Sequence, residues 1–338
     1  MSFINEILKH KSLSVVGIEK NTGKTECLNY VLRHLPKTGR RVMVSSIGID
    51  GETSDQVTLT AKPEIRLWPG MFFATSEKHY RMRRLVSEVV AISKESTALG
   101  RIVVAKAITQ GKVLLSGPSS NVALRNWMNE MRQFDIDLFI VDGALSRMSL
   151  ASPTISESMI LATGAAYSSN MSTLVQKTAF VVKLVNLEKT SEDIVDKLMP
   201  IQKGVWAVED DGELVDMNVS TSLVSKLDTS RLRRCRALYV SGALTDGFVN
   251  VVRQDSKLKD VELIVRDFTK IFVSPQAYHG LLASGRRVTV LQKSQLVAVC
   301  VNPTAPNGYH LDSDKLCDTL SSAINLPVYD IVKNEYSF

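Results

Sequence analysis

The sequence predicts an α/β protein built on a mostly parallel sheet with helices on both faces. Short apolar runs alternate with stretches of helical periodicity, which is the order of repeated βαβ units. Some of the runs, such as 137–141 (DLFIV), are almost continuously apolar, which is typical of strands that are buried on both faces of a parallel sheet. The length of 338 residues suits one large domain or two unequal ones.

The N-terminal part of the chain contains the first complete βαβ unit. Its predicted elements are an amphipathic helix at 4–10, a strand at 13–16, a helix at 24–35 that Pro36 ends, and a strand at 41–47. Further strands are predicted at 101–105, 112–116, 137–141 and 179–185, and further helices at 120–133 and 155–177.

The C-terminal third is predicted to be α/β as well. Asp-Asp-Gly between two apolar alternations predicts a hairpin within 203–217, and the basic segment 219–236 is predicted to be helical. Beyond it, strands are predicted at 237–240, 263–266, 288–291, 297–301 and 328–332, and helices at 243–254, 275–284 and 311–324. We therefore expect a nucleotide-binding domain at 1–225 and, at 226–338, a smaller α/β domain or an extension of the first sheet.

Composition and charge exclude several classes of protein. The chain has 44% hydrophobic residues, a net charge of +6 and no apolar run of about 18 residues, so we expect a soluble, cytoplasmic protein that does not bind a membrane. Its four cysteines are far apart in sequence and have no metal-ligand spacing, so reduced thiols are expected. The basic groups at 81–84 and 231–236 are not interleaved with aromatic residues, so we expect no nucleic-acid binding.

A glycine-rich turn between the first strand and its helix has the chemistry of a phosphate-binding loop. Residues 13–27 read LSVVGIEKNTGKTEC, and backbone N–H groups in such a turn converge on phosphate oxygens at the positive end of a helix. Lys24 would neutralise the terminal phosphates, and the Thr25 hydroxyl would bind Mg²⁺. The predicted nucleotide-binding residues of this segment are Gly17, Glu19, Lys20, Asn21, Thr22, Gly23, Lys24, Thr25 and Glu26.

The spacing of this turn departs from the common phosphate-loop pattern. Five residues separate Gly17 from Gly23 where the pattern has four, so a generic strand-to-helix turn remains the alternative interpretation.

Two acids are predicted to complete the site. Asp142 ends the apolar strand at 137–141 and would hold Mg²⁺ at the carboxyl edge of the sheet. Asp50 follows the strand at 41–47 and would approach the metal or orient the attacking water; its alternative is a polar Asp-Gly turn. The predicted catalytic residues are Lys24, Asp50 and Asp142, and the predicted metal ligands are Thr25, Asp50 and Asp142.

With these stretches in place, the chain resembles the SIMIBI class of P-loop NTPases, and within it the dethiobiotin synthetase-like group. That group has the same longer loop before Gly-Lys-Thr and an acid followed by Gly-Ala, matched here by Asp142-Gly143-Ala144. The likeness covers roughly residues 10–185. The chain lacks the signature lysine of the MinD-like ATPases, since that position is Glu19 and Lys20 is offset by one. The chain could form a homodimer, but without that lysine a dimer that encloses the nucleotide between two subunits is not expected.

A narrower resemblance covers most of the chain. The stretches VGIEKNTGKTECLNYVL, SSIGIDGE, KPEIRLWPGMFFAT, VDGALSRMSLASP, ATGAAYSSNM and VNPTAPNGYH are similar to the ATPase subunits of reactivating factors for lysine 5,6-aminomutase. The resemblance implies the cofactors ATP and Mg²⁺. It also implies two protein partners, a second reactivase subunit and the adenosylcobalamin-dependent aminomutase, from which damaged cobalamin would be released.

Two other functions are compatible with the same residues. An ATP-dependent carboxylate ligase of the dethiobiotin synthetase or cobyrinic acid amide synthase type would place a basic group opposite the loop, for which Lys62, Lys106 and Arg147 are candidates. A non-hydrolysing nucleotide-binding module is the other. The chain has no Asn-Lys-x-Asp guanine motif, which favours adenine, and Asn302 and Pro303 are the candidate adenine pocket, with an ordinary Pro/Gly loop as the alternative.

Overall fold

The computed structural model describes residues 2–48, 64–144, 151–223, 226–230 and 232–335, and these form two compact units. Unit 1 comprises Met1–Ala179 and Gln295–Phe338, and unit 2 comprises Phe180–Ser294. Both units consist of sheets and helices, which confirms the predicted α/β class.

The strands are numbered here in chain order over the described residues. They are β1 (Ser12–Gly17), β2 (Val42–Ser46), β3 (Ile65–Leu67), β4 (Phe72–Ser76), β5 (Ser87–Thr97), β6 (Gly100–Ala107), β7 (Gly111–Val113), β8 (Leu138–Ala144), β9 (Ser158–Gly164), β10 (Val205–Glu209), β11 (Leu214–Asp216), β12 (Cys235–Val240), β13 (Leu244–Thr245), β14 (Glu262–Val265), β15 (Ile271–Phe272), β16 (Arg287–Val290), β17 (Gln295–Asn302) and β18 (Val328–Asp330).

The helices are numbered in the same way. They are α1 (Ser2–Ile7), α2 (Lys24–His34), α3 (Glu77–Met82), α4 (Asn121–Met131), α5 (Met171–Val185), α6 (Glu192–Leu198), α7 (Asp246–Gln254), α8 (Pro275–Ala283), α9 (Ser313–Ile324) and α10 (Ile331–Glu335). None of these described helices combines the length and the apolar character that a membrane crossing needs.

Unit 1 is organised around one large, mostly parallel sheet. In the described residues its strand order is β18-β17-β9-β1-β8-β2-β4-β6-β5. The strands from β18 to β4 pair in parallel, and β6 pairs antiparallel with both β4 and β5. Strand β1 lies between β9 and β8, so the segment that follows it emerges at the centre of the carboxyl edge.

Helices cover both faces of this sheet, as predicted. Side chains alternate between the two faces along a strand. Along β8, Leu138 and Ile140 pack into a core with helices α1, α2 and α10, whereas Phe139 and Val141 pack into a second core with α4. The continuous apolar run of β8 is therefore explained by burial on both sides.

Unit 2 has its own sheet, in the order β11-β10-β12-β14-β16. Strands β12, β14 and β16 are parallel, and β10 is antiparallel to both of its neighbours. The hairpin predicted within 203–217 is confirmed, because β10 and β11 pair across the Asp-Asp-Gly turn, in which Gly212 has a φ of +79°.

Two predicted elements in the middle of the chain differ from the structure. The helix predicted at 155–177 is wrong over β9, which is buried along its whole length between β1 and β17, and is confirmed only over 171–177, the beginning of α5. The strand predicted at 179–185 belongs to α5. Short apolar runs fit a buried strand and a buried helix equally well, so periodicity could not separate the two.

The helix predicted at 219–236 is also wrong, since the described part of this segment before β12 contains no helix. Its polar side chains form tertiary and local hydrogen bonds instead. The Ser222 hydroxyl donates to the carbonyl oxygen of Ala243, and the Thr229 hydroxyl donates to the Asp255 carboxylate at 2.9 Å. Ser, Thr and Asp compete with helical hydrogen bonding in this way.

The two units divide the chain at positions other than the predicted boundary of 225/226. Residues 180–225 belong to unit 2, where β10 pairs with β12. Strand β17 returns to unit 1 and pairs in parallel with β9, and β18 pairs with β17. The C-terminal segment thus extends the first sheet, while unit 2 lies in sequence between the two segments of unit 1.

Candidate functional site

The candidate site lies at the carboxyl ends of three adjacent strands, β1, β8 and β2. In the strand register, Gly17 lies opposite Ala144, and Asp142 lies opposite both Val15 and Ser46. The segment 17–26, which we call the glycine loop, therefore leaves β1 beside the strand that carries Asp142. Ligands of parallel α/β sheets bind at such carboxyl edges.

The glycine loop has a tightly specified backbone. Asn21 and Gly23 have φ values of +62° and +88°, in the left-handed region. The Thr22 hydroxyl donates to the Glu19 carbonyl oxygen at 2.8 Å and closes the turn. A Cβ at Gly17 would lie 2.9 Å from Thr22 Oγ1, so the turn requires glycine at its start.

Neighbouring strands fix the loop on one side. The Ile18 N–H donates to the Ala162 carbonyl oxygen of β9 at 2.9 Å. Asn302, at the end of β17, approaches the loop so closely that a Cβ at Gly23 would lie 2.7 Å from Asn302 Cβ. Its carbonyl oxygen accepts a hydrogen bond from the Ala165 N–H at 2.9 Å. Two strands that follow β1 far along the chain thus support the glycine loop.

Helix α2 begins at Lys24, and its N-cap residue is Gly23, which has no side chain that could accept a capping hydrogen bond. Within the described residues, the backbone N–H groups of Thr22 and Gly23 donate no hydrogen bond. N–H groups at the start of a helix have no intrahelical acceptor, and the helix dipole adds positive potential there. This end of α2 can therefore receive an anion through backbone donors.

Lys24 and Asp142 form the charged centre of the site. Lys24 Nζ lies 2.9 Å from Asp142 Oδ1, and the two side chains are 19% and 1% exposed. Because the carboxylate is almost fully buried, the ammonium group compensates a charge that would otherwise be costly to bury. The pair joins the first residue of α2 to the carboxyl end of β8.

A second loop borders the site next to β2. The Gly48 N–H donates to the Pro118 carbonyl oxygen and the Gly117 N–H donates to the Gly48 carbonyl oxygen, both at 2.9 Å. A Cβ at Gly117 would lie 1.8 Å from the Ser46 carbonyl oxygen, which only glycine can avoid. The segment leading to α4 is therefore held against the end of β2.

A buried histidine anchors the beginning of that second loop. His79 Nδ1 and Ser116 Oγ lie 3.0 Å apart, and both side chains are buried. The Ser76 hydroxyl accepts the His79 backbone N–H at the start of α3. These contacts connect α3 to the border of the site, and no pattern in the sequence indicated them.

The structure places Asn302 beside the glycine loop, and Pro303 follows it in the chain. Asn302 Oδ1 accepts a hydrogen bond from the Thr304 N–H at 3.0 Å, and the Pro303 carbonyl oxygen accepts one from the Leu311 N–H at 2.9 Å. These bonds give the segment 302–311 a defined fold next to Gly23. The location agrees with the predicted adenine pocket, whose role stays a prediction.

Tyr167 is a site residue that the sequence alone did not single out. Burial raises the pKa of its phenol above the ordinary value, and the nearby Glu19 carboxylate raises it further. Lys177 Nζ lies 4.9 Å from the centre of the Tyr167 ring. The only signal in the sequence was an aromatic residue after the small residues Thr163-Gly164-Ala165-Ala166, which allow β9 and β17 to approach each other closely.

The remaining predicted residues fall into two groups. Asp50, Lys62 and Arg147 lie outside the described residues. Lys106 is described and lies on β6, four strands away from β1, with Nζ 5.7 Å from the centre of the Phe72 ring. The one described candidate for the basic group of a carboxylate ligase is therefore not near the glycine loop.

Comparison with known proteins adds nothing to this picture. No protein-family model, curated protein or solved structure matches the chain.

Proposed function

We propose that the chain is a Mg²⁺-dependent ATPase whose nucleotide binds across the glycine loop. The observation that carries the proposal is the ion pair between Lys24 and Asp142, 2.9 Å apart at the start of α2. It joins a phosphate-binding cation to a metal-binding acid at one sheet edge. The open N–H groups of Thr22 and Gly23 supply the backbone donors that phosphate oxygens need.

Binding of Mg²⁺ and ATP would exchange the partners of this pair. Lys24 would turn from Asp142 to the β- and γ-phosphates, and Asp142 and the Thr25 hydroxyl would hold the metal ion. Both charges are neutralised before and after the exchange, so neither has to be buried without a partner. Bound Mg²⁺ supplies electrostatic stabilisation of the charge that develops on the transferred phosphoryl group.

The cellular role we propose follows from the motif resemblance. The chain acts as the ATPase subunit of a reactivating factor that removes damaged cobalamin from lysine 5,6-aminomutase together with a second subunit. A phosphate-dependent rearrangement of loops at the site is sufficient for such work, because a partner that binds one nucleotide state better is remodelled when that state changes.

The ATPase proposal is tested by phosphate release with ATP and Mg²⁺. Lys24→Ala should abolish turnover, and Asp142→Asn should reduce it by about 10²-fold or more, since both remove charge that stabilises the transition state. Lys37→Ala is the matched control, because Lys37 is an exposed lysine that follows α2. Turnover that persists in Lys24→Ala, or that needs no divalent ion, would refute the proposal.

The reactivase role is tested separately with aminomutase that carries inactive cobalamin. We expect ATP-dependent release of the corrinoid, followed by recovery of activity when intact coenzyme is added. Mg²⁺-dependent turnover without any release would leave the ATPase standing and rule out this partner.

A further inference from the structure

Strand β5 forms an edge of the large sheet that is unusual for a monomeric protein. It has 11 residues and is the longest strand in the described part of the chain. Among the described strands it pairs with β6 alone. Natural proteins protect sheet edges with short strands, proline, charged side chains or bulges, because unpaired backbone groups attract other chains. Strand β5 is long and has no proline, and the charges and register shifts that it carries leave Val89 and Ile92 exposed.

Exposed apolar side chains are frequent in and around this strand. Of the nine large hydrophobic residues that are exposed in the described chain, five lie between residues 82 and 108, namely Met82, Val86, Val89, Ile92 and Ile108. The Ile108 N–H donates to the Val86 carbonyl oxygen at 2.8 Å, which places these two residues side by side. Such a cluster on a soluble protein marks a contact surface.

Val89 and Ile92 share one face of the sheet. Val89 lies opposite Ala105 of β6, and Ile92 lies opposite Val103. Ala105 and Val103 are two residues apart on β6 and therefore point to the same face. The offset of three rather than two along β5 results from a register shift between Val89 and Ala91, and a second register shift follows between Ile92 and Ser96. A bulge of this kind bends the strand, so the edge best fits a partner strand with the same bend.

We propose that β5 pairs antiparallel with β5 of a second copy of this chain. A two-fold axis between Val90 and Ala91 would place Val89 opposite Ile92 of the second copy and Ile92 opposite its Val89. This joins four exposed apolar side chains on one face. Glu88 would lie opposite Ser93 of the second copy and next to its Lys94, so opposite charges are neighbours and like charges do not meet.

This interface is distinct from the proposed nucleotide site. Strand β5 is separated from β1 by five strand spacings, or about 24 Å at roughly 4.8 Å each. The dimer should therefore form without nucleotide. Its existence does not depend on the ATPase proposal.

The test is the mass of the full chain in solution, measured by light scattering over a range of protein concentrations without nucleotide. We expect a dimer for the wild type and a monomer for Val89→Lys/Ile92→Lys, in which like charges face each other across the axis. Val89→Lys/Ile92→Glu should remain dimeric at concentrations where the first variant is monomeric, because each lysine then faces a glutamate. Val122→Lys, at an exposed valine of α4, is the control and should remain dimeric.

Thermal unfolding monitored by circular dichroism verifies that every variant is folded. A monomeric wild type, a dimer that forms only with ATP, or equal behaviour of the two double variants would overturn the proposal.

Discussion

Asn302 lies directly against Gly23, so that a Cβ at Gly23 would come within 2.7 Å of Asn302 Cβ. The two residues are 279 positions apart in the sequence (302 − 23) and meet because β17 is part of the same sheet as β1. The C-terminal segment of the chain therefore forms part of the wall of the candidate site.

We expect Gly23→Ala to destabilise unit 1 more than Gly39→Ala. Both glycines have positive φ values, +88° and +70°, so alanine at either position costs about 1–2 kcal/mol of backbone strain. A Cβ at Gly39 has no atom within 4 Å, whereas a Cβ at Gly23 meets Asn302. Urea unfolding measures the difference. Equal losses of unfolding free energy would show that Asn302 does not press on the glycine loop.

Removal of one member of the Lys24–Asp142 pair should cost more than removal of both. Lys24→Met takes the ammonium away from a carboxylate that is 1% exposed, and such losses typically cost about 3–5 kcal/mol. Asp142→Asn in the same chain removes the charge of that buried carboxylate. A double-mutant cycle of unfolding free energies should therefore show a coupling of about 1–3 kcal/mol. If the loss in the double variant equals the sum of the two single losses, the interaction between Lys24 and Asp142 does not contribute to stability.

The stability of the protein should fall as the pH rises above about 8.5, the ordinary pKa of a free thiol. Burial raises the pKa of Cys235 to about 12, so this thiol stays protonated in the native state while it ionises in the unfolded chain. Between these two pKa values the unfolded state binds fewer protons than the native state, and the free energy of unfolding decreases with pH.

Cys235→Ser tests this assignment, because serine does not titrate and can keep the hydrogen bond to the Ala237 carbonyl oxygen. In the variant we expect the free energy of unfolding to decrease less steeply with pH, by at most about 1.4 kcal/mol per pH unit. The measurement is urea unfolding between about pH 8.5 and 10.5, the range just above the ordinary thiol pKa. An unchanged slope would contradict the assignment to Cys235.

Arg286 should be more important for the stability of unit 2 than its neighbour Arg287. The Arg286 side chain is buried, and its guanidinium donates hydrogen bonds to the carbonyl groups of Val252, Asp255 and Leu258. Lysine cannot reproduce several donors at once, so Arg286→Lys should cost about 2–4 kcal/mol. Arg287 is exposed and pairs with Glu262, and Arg287→Lys should cost less than about 1 kcal/mol. Chemical denaturation compares the two; similar losses would count against the prediction.

Part of this fold could be predicted from local patterns. Strand β1, the glycine loop and α2 were predicted because the apolar run, the turn residues and the helical periodicity all agree. The position of Asp142 beside the loop followed from a single apolar strand that ends in an acid. Local chemistry alone specifies these elements.

The remaining features depend on contacts between distant segments. Strand β9 is buried along its whole length and has β1 and β17 on its two edges, and periodicity in sequence does not carry that information. The same holds for the support of Gly23 by Asn302 and for the buried contact of His79 with Ser116. The sequence indicated the charged residues of the site and Asn302, but not the contacts through which distant side chains fix its walls.

The return of the chain from unit 2 to the large sheet affects how the protein folds during synthesis. Strand β17 leaves the ribosome only after all of unit 2 has been made, so β9 has an open edge throughout that interval. Open edges of apolar strands are prone to aggregation before folding is complete. Nascent chains that stall before residue 295 should therefore depend on chaperones, and the glycine loop acquires its final shape only near the end of translation.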